Sequence, residues 1–478
     1  MNINVYMEHK NEYKKTVYLI AIISALGGLL FGLDQGFIAL SLNTVEKVYA
    51  INTSEAEAYT SILALGGVFG TISSGFTNKL IGRRNSLVLA GFIFTSMSLI
   101  SGLLPSFEIL KIARFFLGFA VGIASFSVPL YLAETAPKEI RGKMGTMFQL
   151  MITVGIFVIA LANYIISEII KNAELSLTIM FVFLLIFSVL MFVSCLFLPK
   201  SPRWLLSRGQ TDEARNVLSK IWHTKKAIRR EIKEFKITSN KTINEPLYKL
   251  ICDKFFLKVL FLGVVIQMFQ QLVGINFIIY YAPTTLGYAG LTGAFSLLIL
   301  YFINMVFTFP AIKLTDKWGR KKLLYMGSIV MMVSMLSSAL AFYMLNKLLG
   351  IESSETIFFR YLLLASFSIY IMAFAVSWGP VAWIICSEIF PFRSKEVGMT
   401  ITTMVNWTFV GVVSFTSLSV MKLFGNFASP LMFAGFCFLS IIFLKFFVPE
   451  TKGISLEEIE NNLLSGCKLR DIGETKNN

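Results

Sequence analysis

The sequence predicts an all-α membrane protein of twelve transmembrane helices, arranged as two six-helix halves joined by a helical linker on the cytoplasmic side. Three observations lead there. Apolar residues make up 55% of the chain and charged ones 15%, whereas soluble domains carry roughly a quarter charged residues. Apolar runs long enough to cross about 30 Å of hydrocarbon recur along the chain. Short charged motifs between those runs appear once in each half.

The runs lie at 17–42, 58–80, 86–105, 110–132, 145–167 and 176–198. After a polar segment they resume at 256–282, 291–314, 322–346, 358–385, 398–421 and 428–448. The first is too long for a signal-peptide core and ends without a small-residue cleavage site, so it is expected to be a retained helix. Lys and Arg gather in alternate loops: Lys79, Arg83 and Arg84; Lys138, Arg141 and Lys143; the 200–258 segment; Lys317, Arg320, Lys321 and Lys322; Arg393 and Lys395. The positive-inside bias places those loops in the cytoplasm, and an even number of spans places both termini there too. The expected organisation is a cytoplasmic N-terminus at 1–15, a first bundle at 16–199, a linker at 200–254, a second bundle at 255–448 and a tail at 449–478. Its expected location is the cell membrane.

Topology also accounts for the net charge of +15, with attraction to anionic inner-leaflet lipid as a minor addition. No nucleic-acid-reading motif accompanies the charge, so the bilayer and not nucleic acid is the expected partner. The five cysteines, Cys195, Cys252, Cys386, Cys437 and Cys467, lack metal-ligand spacing and read as free thiols. Within the linker, TDEARNVLSKIWHTKKAIRREIKEFK has helical character, with Thr211 as N-cap and Asp212 and Glu213 in the first turn.

The halves repeat. IGRR at 81–84 recurs as WGRK at 318–321, and AETAPKEIRG, with Glu134 seven residues before Arg141, recurs as SEIFPFRSKE, with Glu388 seven before Lys395. PKSPR at 199 is echoed by PETKG at 449. Such repetition predicts two bundles related by an axis along the membrane normal, with a solute site between them near the midplane. Arg83, Arg84, Glu134, Arg141, Asp316, Arg320, Glu388, Lys395 and Glu450 fall at span ends. There acids and bases can pair while the cytoplasmic side is closed, each partly exposed pair contributing about 1 kcal/mol or less. Asp34 stands apart as the one charged residue between Lys15 and Glu46. An acid at mid-membrane costs roughly 2.5–3.5 kcal/mol on insertion scales, so it is expected to face a cavity or a partner. No P-loop, HExxH pair or nucleophile elbow is present, so the chain is not read as an enzyme and needs an existing gradient. The Gly-rich LALGGVFG near 63–70 reads as close helix packing.

Taken together, GGLLFGLDQG, GRR, PLYLAETAPKEIRG, PKSPR, MFQQLVGINFIIYYAP, DKWGRKK, SWGPVAWIICSEIFP and VPETKGISLEE resemble the sugar porter family of the major facilitator superfamily, over nearly the whole chain. Its bacterial galactose, arabinose and xylose proton symporters are the most similar group. The resemblance implies the major facilitator fold and import of a monosaccharide by proton symport and alternating access. A hexose such as galactose or glucose is favoured on the tail LEEIENNLLSGCKLRDIG, with a pentose as the other option. A proton-independent uniporter, an exporter of another small neutral solute and a transporter-like sugar sensor are the alternatives. It also implies sugar contacts from Gln149, Gln270, Gln271, Asn276, Trp378 and Asn406, with Tyr280 and Asn304 lining the same cavity. Proton coupling falls to Asp34 with Arg114 in KIARFFLG. The proton is the coupling ion, no cofactor or metal is implied, and a monomer is the default state.

The chemistry of these residues agrees. Amides are both donors and acceptors, as neutral hydroxyls require, and a Trp face can lie on the C–H face of a pyranose. Water access and Arg114 keep Asp34 ionised, while desolvation on closure favours the neutral acid, which then takes a proton. His9 and His223 fall in cytoplasmic segments, so no histidine relay is expected. Three departures from the family stand out: the span 6 stretch TIMFVFLLIFSVLMF holds no carboxylate, Lys79 replaces an acid in the first loop motif, and Lys200 replaces the Glu of PESPR. Coupling is therefore expected to rest on Asp34 and Arg114, and the first-half latch to be the weaker.

Overall fold

In the computed structural model the described residues are 13–137, 140–240, 253–288, 294–348, 353–391, 394–454 and 456–473. Parts of the predicted N-terminus (1–12), linker (241–252, with Cys252) and tail (474–478) lie outside them. Twelve candidate spans are present among these residues.

The first six are α1 (Thr16–Tyr49), α2 (Thr53–Leu80), α3 (Arg83–Gly102), α4 (Phe107–Thr135), α5 (Arg141–Ile169) and α6 (Ala173–Leu196). The linker holds α7 (Pro202–Ser207), α8 (Thr211–Ile221) and α9 (Lys225–Asn240). The second six are α10 with α11 (Lys254–Leu272, Ile275–Tyr288), α12 (Ala294–Lys317), α13 (Arg320–Lys347), α14 with α15 (Ser354–Val376, Trp378–Ile389), α16 (Lys395–Phe424) and α17 (Ala428–Phe446). A short α18 (Leu456–Leu464) follows in the tail.

Local chemistry sets the ends. Asn52 and Glu55 form a reciprocal capping box at the start of α2, and Asn172, Asp253 and Ser353 cap α6, α10 and α14 with their side chains. The linker helix α8 begins at Thr211, but its N-cap is Gln210, without a side-chain cap bond. Thr211 is thus the first helical residue and not the cap, and Asp212 and Glu213 sit in the first turn as expected. The spans 7 and 10 expected as continuous runs are each two helices. Gly274 breaks the first at φ +103°, and Ser377 breaks the second in an irregular conformation.

Large apolar side chains such as Phe76, Leu103, Phe197 and Phe415 point outward, 67–79% exposed, as a lipid-facing surface requires. Many hydroxyls inside are satisfied by the preceding turn of their own helix, Thr71 donating to Gly67 O at 2.8 Å and Ser125 to Val121 O at 2.8 Å. A Cβ at Gly66 or Gly70 would lie 2.0 Å from Phe115 O or Phe119 O, so these two glycines of LALGGVFG bring α2 directly onto α4, while Gly67 faces the Trp407 ring of α16. The halves meet where α2 packs on α16, α5 on α12 and α15, and α11 on α1.

Candidate functional site between the bundles

A narrow cavity of about 30 Å³ lies at this junction. Gln35 and Phe31 of α1 and Gln149, Ile152 and Ile156 of α5 form its first-bundle wall. Across from them stand Gln270, Gln271, Asn276, Asn304 and Trp383 from the second bundle. The break at Gly274 makes this convergence: Gln270 and Gln271 end α10, while Asn276 begins α11. Asn276 Nδ2 donates to Gln271 Oε1 at 2.5 Å, and Gln271 Nε2 donates to Gln270 Oε1 at 2.6 Å. Asn304 Oδ1 has no hydrogen-bond partner among the described residues, so it presents an acceptor to a solute.

Three residues expected at the site, Trp378, Asn406 and Tyr280, lie outside this lining. Trp378 does not line the cavity; it is fully buried and donates from Nε1 to Ser328 Oγ at 2.7 Å. As the first residue of α15 it faces α13, and the Trp in the cavity is Trp383, whose ring meets Phe148 edge-on at 5.5 Å. Asn406 is likewise absent from the lining. It stands behind the glutamines, donating to Gln267 Oε1 at 2.7 Å and Gln270 Oε1 at 2.8 Å and accepting from Gln271 Nε2 at 3.2 Å. It therefore positions amides that line the cavity. Tyr280 meets the lining through Gln35, its hydroxyl accepting from Gln35 Nε2 at 3.4 Å.

One residue before Gln35, Asp34 is fully buried, with Oδ1 2.5 Å from Arg114 Nη1. Its Oδ2 and two further guanidinium nitrogens of Arg114 have no hydrogen-bond partner among the described residues. The rings of Tyr59 and Phe37 lie 5.5 and 6.0 Å from the guanidinium carbon, within cation–π reach. Phe37 in turn packs on Phe181 of α6 at 4.8 Å, so the span expected to lack a second acid meets this region with an aromatic side chain. Gln35 carries the connection onward, reaching Asn276 Oδ1 at 3.5 Å.

At the linker face the two repeated motifs fold alike. Arg83 clasps Glu134 with Nε and Nη2 at 2.9 and 2.8 Å, and Arg320 Nη2 meets Glu388 at 3.0 Å and Nη1 meets Asp316 at 3.5 Å. Each pair lies inside one bundle, and Arg83–Glu134 and Arg320–Glu388 are nearly dry, so they brace each bundle and do not themselves part when the bundles separate. Among the described residues, bonds that cross include Arg83 Nη1 to Glu396 at 2.9 Å, Lys143 N to Asp316 Oδ2 at 3.1 Å and the Thr146–Thr315 hydroxyl pair at 3.4 Å. Arg84 lies outside this set and donates to the carbonyl of Leu196. Lys395 and Arg141 are buried, Lys395 near Glu134, Arg83 and Arg141, and Glu450 accepts from the backbone N–H groups of Arg320 and Lys321 at 2.9 and 3.1 Å.

Sequence reading missed Gln35, Gln267, Trp383 and Glu396. The available signals were an amide beside the intramembrane acid, a Gln three residues before Gln270, a second aromatic in SWGPVAW and an acid in SKE.

Two repeated six-helix bundles around a polar cavity, with a buried ion pair at mid-span and ion pairs at one face, define a multi-pass membrane carrier with the major facilitator fold. The chain belongs to the sugar (and other) transporter family, whose model matches residues 20–463; it is a transporter and not an enzyme. It is 36% identical over 465 residues to a galactose-proton symporter of Escherichia coli strain K12, covering 96% of this chain and 97% of that one. A glucose transporter, GlcP, of Staphylococcus epidermidis is 35% identical, covering 94% and 98%. The solved proton:xylose symporter XylE bound to 6-bromo-6-deoxy-D-glucose superposes with a TM-score of 0.82 at 30% identity, covering 93% of this chain and 98% of that one.

Proposed function

We propose that this chain imports a hexose such as galactose or glucose by proton symport, with alternating access of the cavity to the two sides. The observation that carries the reading is the amide-lined cavity joined through Gln35 to the Asp34–Arg114 pair. Amides from both bundles, Gln149 opposite Gln270, Gln271 and Asn276, let one neutral polyhydroxyl solute bridge the halves. The cavity is narrow in this conformation, so the sugar enters as the bundles part.

Protonation of Asp34 removes the charge that holds Arg114. That rearrangement occurs one residue from Gln35, whose amide contacts Asn276 and Tyr280 of the sugar half. Sugar and proton thus act on the same short stretch of α1, which supplies the free-energy coupling that symport requires. No second intramembrane carboxylate is needed in this scheme. The linker face, taken as cytoplasmic from its basic loops, opens when the Arg83–Glu396 and Lys143–Asp316 contacts break.

A pentose is the second reading, favoured by the solved relative's being named a xylose symporter while its ligand is a hexose derivative. Competition of labelled glucose uptake by galactose, xylose and arabinose separates the two. For the coupling itself, adding sugar to energy-depleted cells should alkalinise the medium, and a protonophore should abolish accumulation. Absence of alkalinisation, or accumulation that survives the protonophore, overturns symport in favour of uniport.

A further inference from the structure

Where α10 begins and α17 ends, the tail borders a groove of about 680 Å³ at the linker face. Its floor is apolar: Leu257 and Phe261 of α10, with Phe446 and Phe447 at the end of the last span, are 42–58% exposed. Its rim is charged. Lys258 comes from α10, and Lys468, Arg470 and Asp471 from the tail, which is anchored by the fully buried Ile472 and by Asn462 Nδ2 donating to Ile472 O at 3.1 Å. Asp471 lies 3.4 Å from Arg470 Nε, so three cations face one carboxylate and the rim carries net positive charge.

The first bundle treats the corresponding place differently. There the chain entering α1 is tied to the linker, with Lys14 N bonded to Ile221 O at 2.7 Å and Lys14 Nζ to Ser219 O at 2.8 Å. In the second bundle the rim cations are exposed above bare aromatic rings. Water matches the rim and not the floor; hydrocarbon matches the floor and not the rim. A molecule with a phosphate on a glycerol and acyl chains below it matches both, and basic pockets between span ends on a cytoplasmic face are suited to anionic headgroups.

We propose that this groove is a binding site for one anionic phospholipid of the cytoplasmic leaflet. Its phosphate sits among Lys258, Lys468 and Arg470, and an acyl chain lies along Phe261, Phe446 and Phe447. None of these residues touches the sugar cavity or the proton pair, so the site stands apart from the transport reading.

The test is native mass spectrometry of the purified full-length protein, titrated in detergent with phosphatidylglycerol, with phosphatidylcholine of the same chains, or with glycerol 3-phosphate. The expected result is one tight phosphatidylglycerol, weakened at least tenfold in a Lys258→Gln, Lys468→Gln, Arg470→Gln variant whose thermal unfolding matches the parent. The conservative Lys258→Arg, Lys468→Arg, Arg470→Lys variant should restore binding. Phosphatidylcholine binding as tightly, or unchanged phosphatidylglycerol binding in the Gln variant, overturns the proposal. So does glycerol 3-phosphate displacing the lipid at equal concentration, since the apolar floor would then contribute nothing.

Discussion

Spans 1 and 7 hold equivalent places in the two bundles, and Gly32, Leu33 and Asp34 of one correspond to Gly274, Ile275 and Asn276 of the other. Yet the first is one continuous helix with a buried charge, and the second is a broken helix carrying amides. At Gly32 a Cβ would lie 1.9 Å from Ile152 O, so this glycine serves contact: α1 presses onto α5 and stays helical. At Gly274 the backbone turns to φ +103°, a conformation open to glycine and costly for other residues, and the helix restarts in a new direction. The unbroken helix places Asp34 against Arg114 in dry surroundings. The broken one turns amides on both sides of the break toward one point. A carboxylate in hydrocarbon needs a single strong partner, whereas recognition of a neutral polyol needs several weak ones at different angles.

That division can be broken most severely at the charge. Asp34→Asn should reduce sugar accumulation to equilibration while leaving counterflow exchange intact; at 100 mV one coupled proton sustains about 50-fold accumulation. Accumulation unchanged in the variant would remove Asp34 from the coupling role. On the amide side, Gln271→Ala strips partners from Asn276, Gln270 and Asn406. It should cost about 1–3 kcal/mol, read as a half-saturation concentration raised roughly 5- to 150-fold, with accumulation at saturating sugar preserved. A variant that loses accumulation at saturation instead would show the two bundles not to divide the work this way.

A smaller effect separates the two tryptophans. Trp383→Phe should raise half-saturation by about threefold with unchanged thermal stability, as expected for a modest loss of aromatic contact. Trp378→Phe should leave half-saturation alone and lower the melting temperature, because the lost indole N–H leaves Ser328 short of a partner. The reverse pattern in uptake assays would return Trp378 to the sugar site.

The smallest effect distinguishes the latches. Glu450 accepts from two N–H groups at the start of α13, but Lys200 at the matching place cannot, and it pairs instead with Glu213 of the linker at 2.9 Å. The first-bundle corner is held otherwise: Ser201 Oγ donates to Glu134 at 2.5 Å, and the Trp204 ring covers Gly82. Glu450→Gln should cost about 0.3–1 kcal/mol through the lost anion at a helix N-terminus. Lys200→Gln, breaking a half-exposed pair, should cost less than about 0.5 kcal/mol. Thermal unfolding of the two variants side by side checks the order.

Much of this was legible in the chain. Span count, halves and the repeated charged motifs that carry Arg83, Glu134, Arg320 and Glu388 follow from hydropathy and repetition, because a bilayer tolerates few ways of hiding a backbone and a repeated motif refolds the same way; which acid each Arg clasps came from the structure. Asp34 and Arg114 could be paired through the family resemblance, and the structure places them in contact. Which Trp enters the cavity was not legible, since SWGPVAW offers two and the irregular backbone at Ser377 rotates the first away. Nor was the layering of the amides: Gln271 and Asn406 are the same kind of group, and only the packing of α10 on α16 puts one at the cavity and the other behind it.

The sequence by itself determined that this chain spans a membrane twelve times, in two repeats, with an acid and a set of amides that hydrocarbon would not tolerate unpaired. The tertiary structure decided which of those groups face one another, which pairs cross between bundles, and that Gln35 links charge to cavity. The reason is physical. Hydropathy and local repeats act over a few residues, but the partner of a buried polar group is chosen by helix rotation and by breaks such as Gly274, which no local pattern specifies.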